Sequence, residues 1–148
     1  METVNHSMED FHRLVVSVDK DIQLHSIGLQ IHKQPTKIIF MLLQKGNTKN
    51  DIWNRTVTSQ AFPNISDKIT LRQAQKLEKG EVYCLLLKFY GGASYLQCGG
   101  SSVVNARVGG QETVQFRFED YQPNLVTGVK QGVFNKLYFK MPVVKKGA

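Results

Sequence analysis

The chain has 148 residues, 41% hydrophobic and 21% charged, with a formal net charge of +7 and a pI near 9.5. That is enough for one domain with its own core, and it excludes a disordered or fibrous chain. The longest apolar runs, residues 38–43 and 82–87, fall far short of the roughly 20 residues that span a bilayer.

Residues 1–12 read as a flexible N-terminal segment. Its first ten residues carry acids where a signal peptide needs a basic and then an apolar region. A cytoplasmic location is therefore expected, with the nucleus also open. The Asn-x-Ser/Thr triplets at Asn5, Asn54 and Asn64 then carry no glycosylation signal.

Strand patterning begins with Leu14, Val16 and Val18, which alternate with Val15, Ser17 and Asp19. Asp19-Lys20-Asp21 has turn chemistry, and residues 22–29 alternate again. Pro35 breaks the run. Residues 37–44 read as a buried strand, Gly46-Asn47 as a turn, and residues 52–58 as a β-branched strand. Residues 59–81 leave two readings open for 69–78. One is a short helix on Leu71, Ala74 and Leu77; the other is a strand followed by a long turn. Residues 82–90 resume a strong strand pattern. Glycine doublets follow at 91–92, 99–100 and 109–110, the spacing of short strands joined by tight turns. In residues 113–119, Val114, Phe116 and Phe118 share one face. Residues 135–143 supply a last strand, and the tail 143–148 is basic. Nine or ten short strands at this spacing predict a single-domain, all-β antiparallel sandwich over residues 13–142, jelly-roll-like in type.

The chemistry of a catalytic site is not apparent. No phosphate-binding glycine motif and no C-x-x-C occurs, and His6, His12, His25 and His32 lack zinc spacing. No metal and no cofactor is expected. Asp19 and Asp21 offer too few oxygens for calcium. The neighbouring acid pairs do not resemble two carboxyls set across a cleft. Cys84 sits in an apolar strand and reads as a buried free thiol rather than half of a Cys84–Cys98 disulfide. The sequence therefore predicts a protein that is not an enzyme.

The basic residues are scattered, densest at Lys136, Lys140, Lys145 and Lys146, as on a solvated surface rather than in a nucleic-acid groove. Trp53, Phe89, Tyr90, Tyr95, Tyr121 and Phe134 interleave with Lys and Arg, a mixture that can stack bases. Phe116, Phe118, Tyr138 and Phe139 are assigned to the core. Tyr90 and Tyr95, flanking a glycine loop, are candidates for exposed contact.

The stretch from Val16 to Leu29, with Val18-Asp19, Ile22, Leu24, Ile27, Gly28 and Leu29, resembles the opening of the PHR domain. That domain is named after the Pam/Highwire/RPM ubiquitin ligases and also ends the BTB–BACK–PHR adaptor proteins. Leu77-Glu-Lys-Gly-Glu-Val-Tyr83 with Leu85 and Leu87 resembles a middle strand of the family. Thr113-Val-Gln-Phe-Arg-Phe118, Thr127, Gly132 and Leu137-Tyr-Phe139 resemble its closing strands. The chain departs from the pattern at Ser26, at Gln30-Ile31, at Leu125-Val126 and at Val133-Phe134-Asn135. The resemblance spans residues 13–140. It implies a β-sandwich for protein recognition in ubiquitin-ligase assemblies, without catalytic residues; no membrane partner is expected from the short apolar runs.

The leading expectation is a non-catalytic module that recruits a protein substrate or partner. Loops around 90–100 and 106–110 would present the contact surface, with Tyr90, Tyr95, Gly99, Gly100 and Arg107 as contact residues. Gly28 and Gly132 are read as structural glycines. The runners-up are a carbohydrate or small-ligand sandwich and a basic nucleic-acid binder.

Overall fold

The computed structural model describes residues 3–5, 11–29, 31–33, 37–45, 55–62, 68–90, 94–96, 101–120 and 134–142. They form strands β1 (Thr3–Asn5), β2 (Phe11–Val18), β3 (Ile22–Leu29), β4 (Ile31–Lys33), β5 (Lys37–Gln44) and β6 (Arg55–Phe62). The chain continues through β7 (Lys68–Leu77), β8 (Val82–Tyr90), β9 (Ser94–Leu96), β10 (Val103–Gly109), β11 (Glu112–Asp120) and β12 (Phe134–Lys140). Among the described residues there is no helix. A six-stranded antiparallel sheet runs β10-β11-β2-β8-β5-β6, and a three-stranded sheet β12-β3-β7 packs with it; β1-β9-β4 form a further short sheet. The chain is an all-β sandwich.

The two-residue period of the strands builds the core. On β8, Tyr83, Leu85, Leu87 and Phe89 face inward; on β5, Leu42, Phe40 and Ile38 sit opposite the last three of these in register. Val16, Val18, Val114 and Phe116 extend the same layer. Ile22, Leu24, Ile27, Leu29, Ile69, Leu71 and Leu77 meet it from the second sheet. Burying each such side chain contributes about 1.5–3 kcal/mol. Leu24 and Ile27 are three residues apart, yet both point inward. A register shift between Leu24 and Ser26 resets the alternation.

Two turns carry the chain between the sheets. Asp19 and Asp21 occupy the turn from β2 to β3, and residues 78–81 the turn from β7 to β8. Asp19 Oδ1 accepts from the Gln115 amide at 2.8 Å, and the Asp19 amide donates to the Gln115 carbonyl at 3.2 Å. Asp21 Oδ1 accepts from the Lys79 amide at 2.8 Å. The Gly80 amide donates to the Val18 carbonyl at 3.1 Å, and the Glu78 amide to the buried Tyr83 hydroxyl at 2.9 Å. Gly80 has φ +80°, a conformation that other residues adopt only under strain.

Of the two readings open for residues 69–78, the strand is the one formed: β7 runs Lys68–Leu77, with Ile69 and Leu71 buried and the strand zipped to β3. Other sequence expectations are corrected. The N-terminal segment 1–12 contains strand, since Thr3–Asn5 pairs with β9 and β2 begins at Phe11. Tyr138 is not in the core. It pairs with Ser26 on the outer face of the second sheet, while its neighbour Phe139 packs inward, 4.9 Å ring to ring from Phe116. Residues 106–109 are the end of strand β10 rather than a loop.

Gly28 lies where β12 approaches most closely. A Cβ there would sit 3.1 Å from Lys136 Cβ and 3.4 Å from the Lys136 amide nitrogen. Gly28→Val is expected to destabilise the fold by about 2 kcal/mol, measured by urea unfolding; an unchanged midpoint would remove the close-approach argument.

The Lys79 amide bond, aided by Lys76 at 3.5 Å, holds the Asp21 carboxyl below its ordinary value of 3.8. A lowered pKa stabilises the fold above the unfolded carboxylate range, and the contribution is lost as pH falls through the folded value. Asp21→Asn is therefore expected to flatten the fall of stability below pH 4, measured by unfolding at stepped pH.

Candidate functional site

Much of the reactive chemistry among the described residues is spent inside the fold. The Asp19 carboxylate holds a backbone amide of strand β11, and the Asp21 carboxylate one of the turn at residues 78–81. No group of three or more His, Cys, Asp or Glu that could hold a metal occurs among the described residues.

Ser26 is buried on the outer face of β3. Its hydroxyl donates to Thr70 Oγ1 at 3.2 Å, and His25 Nδ1 lies 3.0 Å from the same oxygen. The three side chains form a hydrogen-bonded cluster on that strand face. Cys84 is a free thiol, fully buried between Val15 and Leu43 in register. Burial pushes its pKa up to about 12, against a smaller opposing pull from Arg13, so the nucleophilic thiolate is scarce at neutral pH.

The sequence-predicted contact residues do not form one patch. Tyr90 ends β8, next to Lys88, which pairs with Phe11 at the start of β2. Arg107 lies opposite Thr113, two strands from β2 and level with its far end. The two are therefore about 40 Å apart along the strands. Tyr95 lies on β9, paired with Val4 and Ile31; its side chain is outside the described residues. Gly99, Gly100 and Gly132 also lie outside them, as do Trp53 and Cys98.

At the Tyr90 end, Lys37 Nζ lies 4.6 Å and Lys88 Nζ 5.1 Å from the ring centroid. On the second sheet, Lys68 Nζ lies 4.2 Å from the Tyr138 centroid. These ammonium groups occupy ring faces that a stacked base or sugar would need. Lysine stems and tyrosine rings here cover the outer faces of the sheets.

The Arg107 end is different. β10 is an outer strand of the large sheet, and Val103 and Val104 are 38% and 42% exposed. Its hairpin turns on Gly109 and Gly110, with φ +151° and +52°, as the third glycine doublet implies. Side-chain hydrogen bonds order its outer face: Gln115 Nε2 donates across the strands to Asn105 Oδ1 at 3.3 Å, and Arg117 Nε donates along β11 to Gln115 Oε1 at 3.1 Å. Sequence reasoning missed Val103 and Val104. The signal was present as a short β-branched run between two glycine doublets.

A family model described as the PHR domain matches residues 4–140. No curated protein matches the chain.

The Cys84 environment has a direct chemical consequence. In a Cys98→Ser background, Cys84 is expected to resist a thiol-reactive disulfide reagent at pH 8 in the native state and to react fully in 6 M guanidinium. Fast native labelling would overturn the burial argument.

Proposed function

The chain belongs to the PHR domain family, a family of ubiquitin-ligase-associated domains, and on that premise we propose that it is a non-catalytic interaction module. In this reading it recruits a protein substrate or partner to a ubiquitin-ligase assembly. The observation that carries the proposal is the use of the sandwich. Its inner layer and inter-sheet turns are committed to stability, while the β10–β11 hairpin is presented to solvent on a rigid sheet. The reading needs neither metal nor cofactor.

The coverage of Tyr90 and Tyr138 by lysines speaks against base or sugar stacking on those rings, and thus for a protein partner. A partner for a chain of charge +7 is expected to be acidic, since complementary potentials speed encounter and suppress wrong partners.

Affinity capture from lysate at physiological salt with nuclease present, read by mass spectrometry, is expected to enrich a small set of proteins that includes ligase components. Capture lost on nuclease treatment, with affinity falling steeply with salt, would replace the proposal with nucleic-acid binding.

A further inference from the structure

The phase of the β10–β11 ladder determines which backbone groups of β10 face away from the sheet. The Phe118 amide donates to the Ser102 carbonyl at 2.8 Å, and the register runs Val103↔Arg117, Val104↔Phe116, Asn105↔Gln115 and Ala106↔Val114. In an antiparallel pair, opposed residues alternate between bonded and non-bonded. Val104 and Ala106 therefore bond to β11, whereas the N–H and C=O groups of Val103, Asn105 and Arg107 point outward. Gln115 confirms the phase, since its backbone N and O both meet Asp19, on the β2 side. The outward groups recur about every 7 Å along the edge.

Among the described residues no strand pairs with this edge, and residues 101–105 and Arg107 are exposed. The two edges of the large sheet differ. At the β6 edge, Gln60 Oε1 accepts from the Arg72 amide of β7 at 3.1 Å, tying that strand to the second sheet. At the β10 edge the core layer ends early. Val104 pairs with the buried Phe116 on the core-facing side, yet is the more exposed of the two valines. The opposite face carries Val103, Asn105 and Arg107, with Arg117 beside Val103.

We infer that β10 accepts an extended segment of an acidic partner protein as a seventh strand of the large sheet. The backbone of Val103, Asn105 and Arg107 supplies the ladder. Apolar residues of the partner, at alternate positions, lie beside Val104 and Ala106 and lengthen the core. The intervening residues lie on the outer face, where acids meet Arg107 and come within reach of Arg117. Strand addition of this kind takes its affinity from main-chain bonds and its selectivity from alternate side chains. This inference rests on the interaction-module reading and names its surface.

The probe is a ten-residue peptide of alternating valine and glutamate, titrated into the full chain and followed by backbone amide NMR. Shifts are expected to concentrate at residues 101–107, with at least about tenfold slower amide exchange at Val103, Asn105 and Arg107. A valine–lysine peptide is expected to give neither effect. Asn105→Pro removes one outward N–H without breaking a bond to β11 and is expected to weaken the acidic peptide at least about tenfold. Arg107→Glu, an exposed change, is expected to do the same and serves where the proline variant fails to fold. Shifts centred elsewhere, no binding, or full affinity in both variants would overturn the inference. So would a concentration-dependent dimer abolished by Asn105→Pro, which would make a second copy the occupant. Capture from lysate separates the two levels: identical protein sets for wild type and Arg107→Glu would overturn the edge and leave the module reading standing. A wild-type chain that captures nothing would overturn both.

Discussion

The rest of the sandwich depends on the clamp between two inter-sheet turns and β11. Both turns take the chain from one sheet to the other at the same end of the molecule. Asp19 ties the first to Gln115, Asp21 ties the first to the second through the Lys79 amide, and Gly80 ties the second back to Val18. Tyr83 closes the set from within the core, since its ring is buried while its hydroxyl accepts from Glu78. The bonds made by Asp19 and Asp21 are exposed and that of Glu78 is partly buried, so the clamp acts by fixing the turn geometry rather than by sparing buried amides. With them, β2 and β3 leave the turn in fixed phase, and every alternate residue of both strands is committed to the core or to the outside.

That clamp also explains the position of the hairpin. Gln115 is held by Asp19 on its β2 side, so β11 is locked into the sheet through its backbone and β10 is added to a rigid template. Lys20 and Glu112, 3.6 Å apart and both partly exposed, add little energy but sit at the same corner. Among the described residues, the second sheet lays three strands, β12, β3 and β7, beneath six. Phe139 of β12 reaches Phe116 of β11, and the layer does not continue to cover Val104. Among the described residues, the overhang follows from the strand count of the two layers.

The fold was legible wherever a two-residue alternation ran unbroken. Strands β5 and β8 fall on residues 37–44 and 82–90 as the pattern predicts, because apolar runs there are buried along the core-facing side and largely sheltered on the other. Val114, Phe116 and Phe118 face the core for the same reason. Legibility failed where register shifts intervene. The shift between Leu24 and Ser26 changes which residue of β3 faces inward. Tyr138 is a different case: Leu137 and Phe139 keep the two-residue period and face the core, so placing the neighbours Tyr138 and Phe139 both in the core overrides that period. β7 was ambiguous because Leu71, Ala74 and Leu77 also fit a helical stripe. Only the partner strand β3 decides the matter, and partner strands are not visible in local sequence. The contact candidates are separated for a related reason: Tyr90 and Arg107 are near in sequence, but an antiparallel sheet carries them to opposite ends.

An exposed, β-branched edge is ordinarily a liability, and sheets blunt such edges with bulges, charges or covering elements. The chain applies these measures unequally. The β6 edge is tied down by Gln60 and Arg72. The β10 edge has a bulge between Arg107 and Gly109, which limits usable pairing at the hairpin end, and one charge within the strand, at Arg107. A charge of +7 on every copy opposes self-association by repulsion, while the same charge favours an acidic segment. Selectivity on this edge would thus come from the sign of the charge rather than from steric closure. An edge guarded along most of its length by like-charge repulsion stays open to the opposite sign, which is the property a recruiting surface requires.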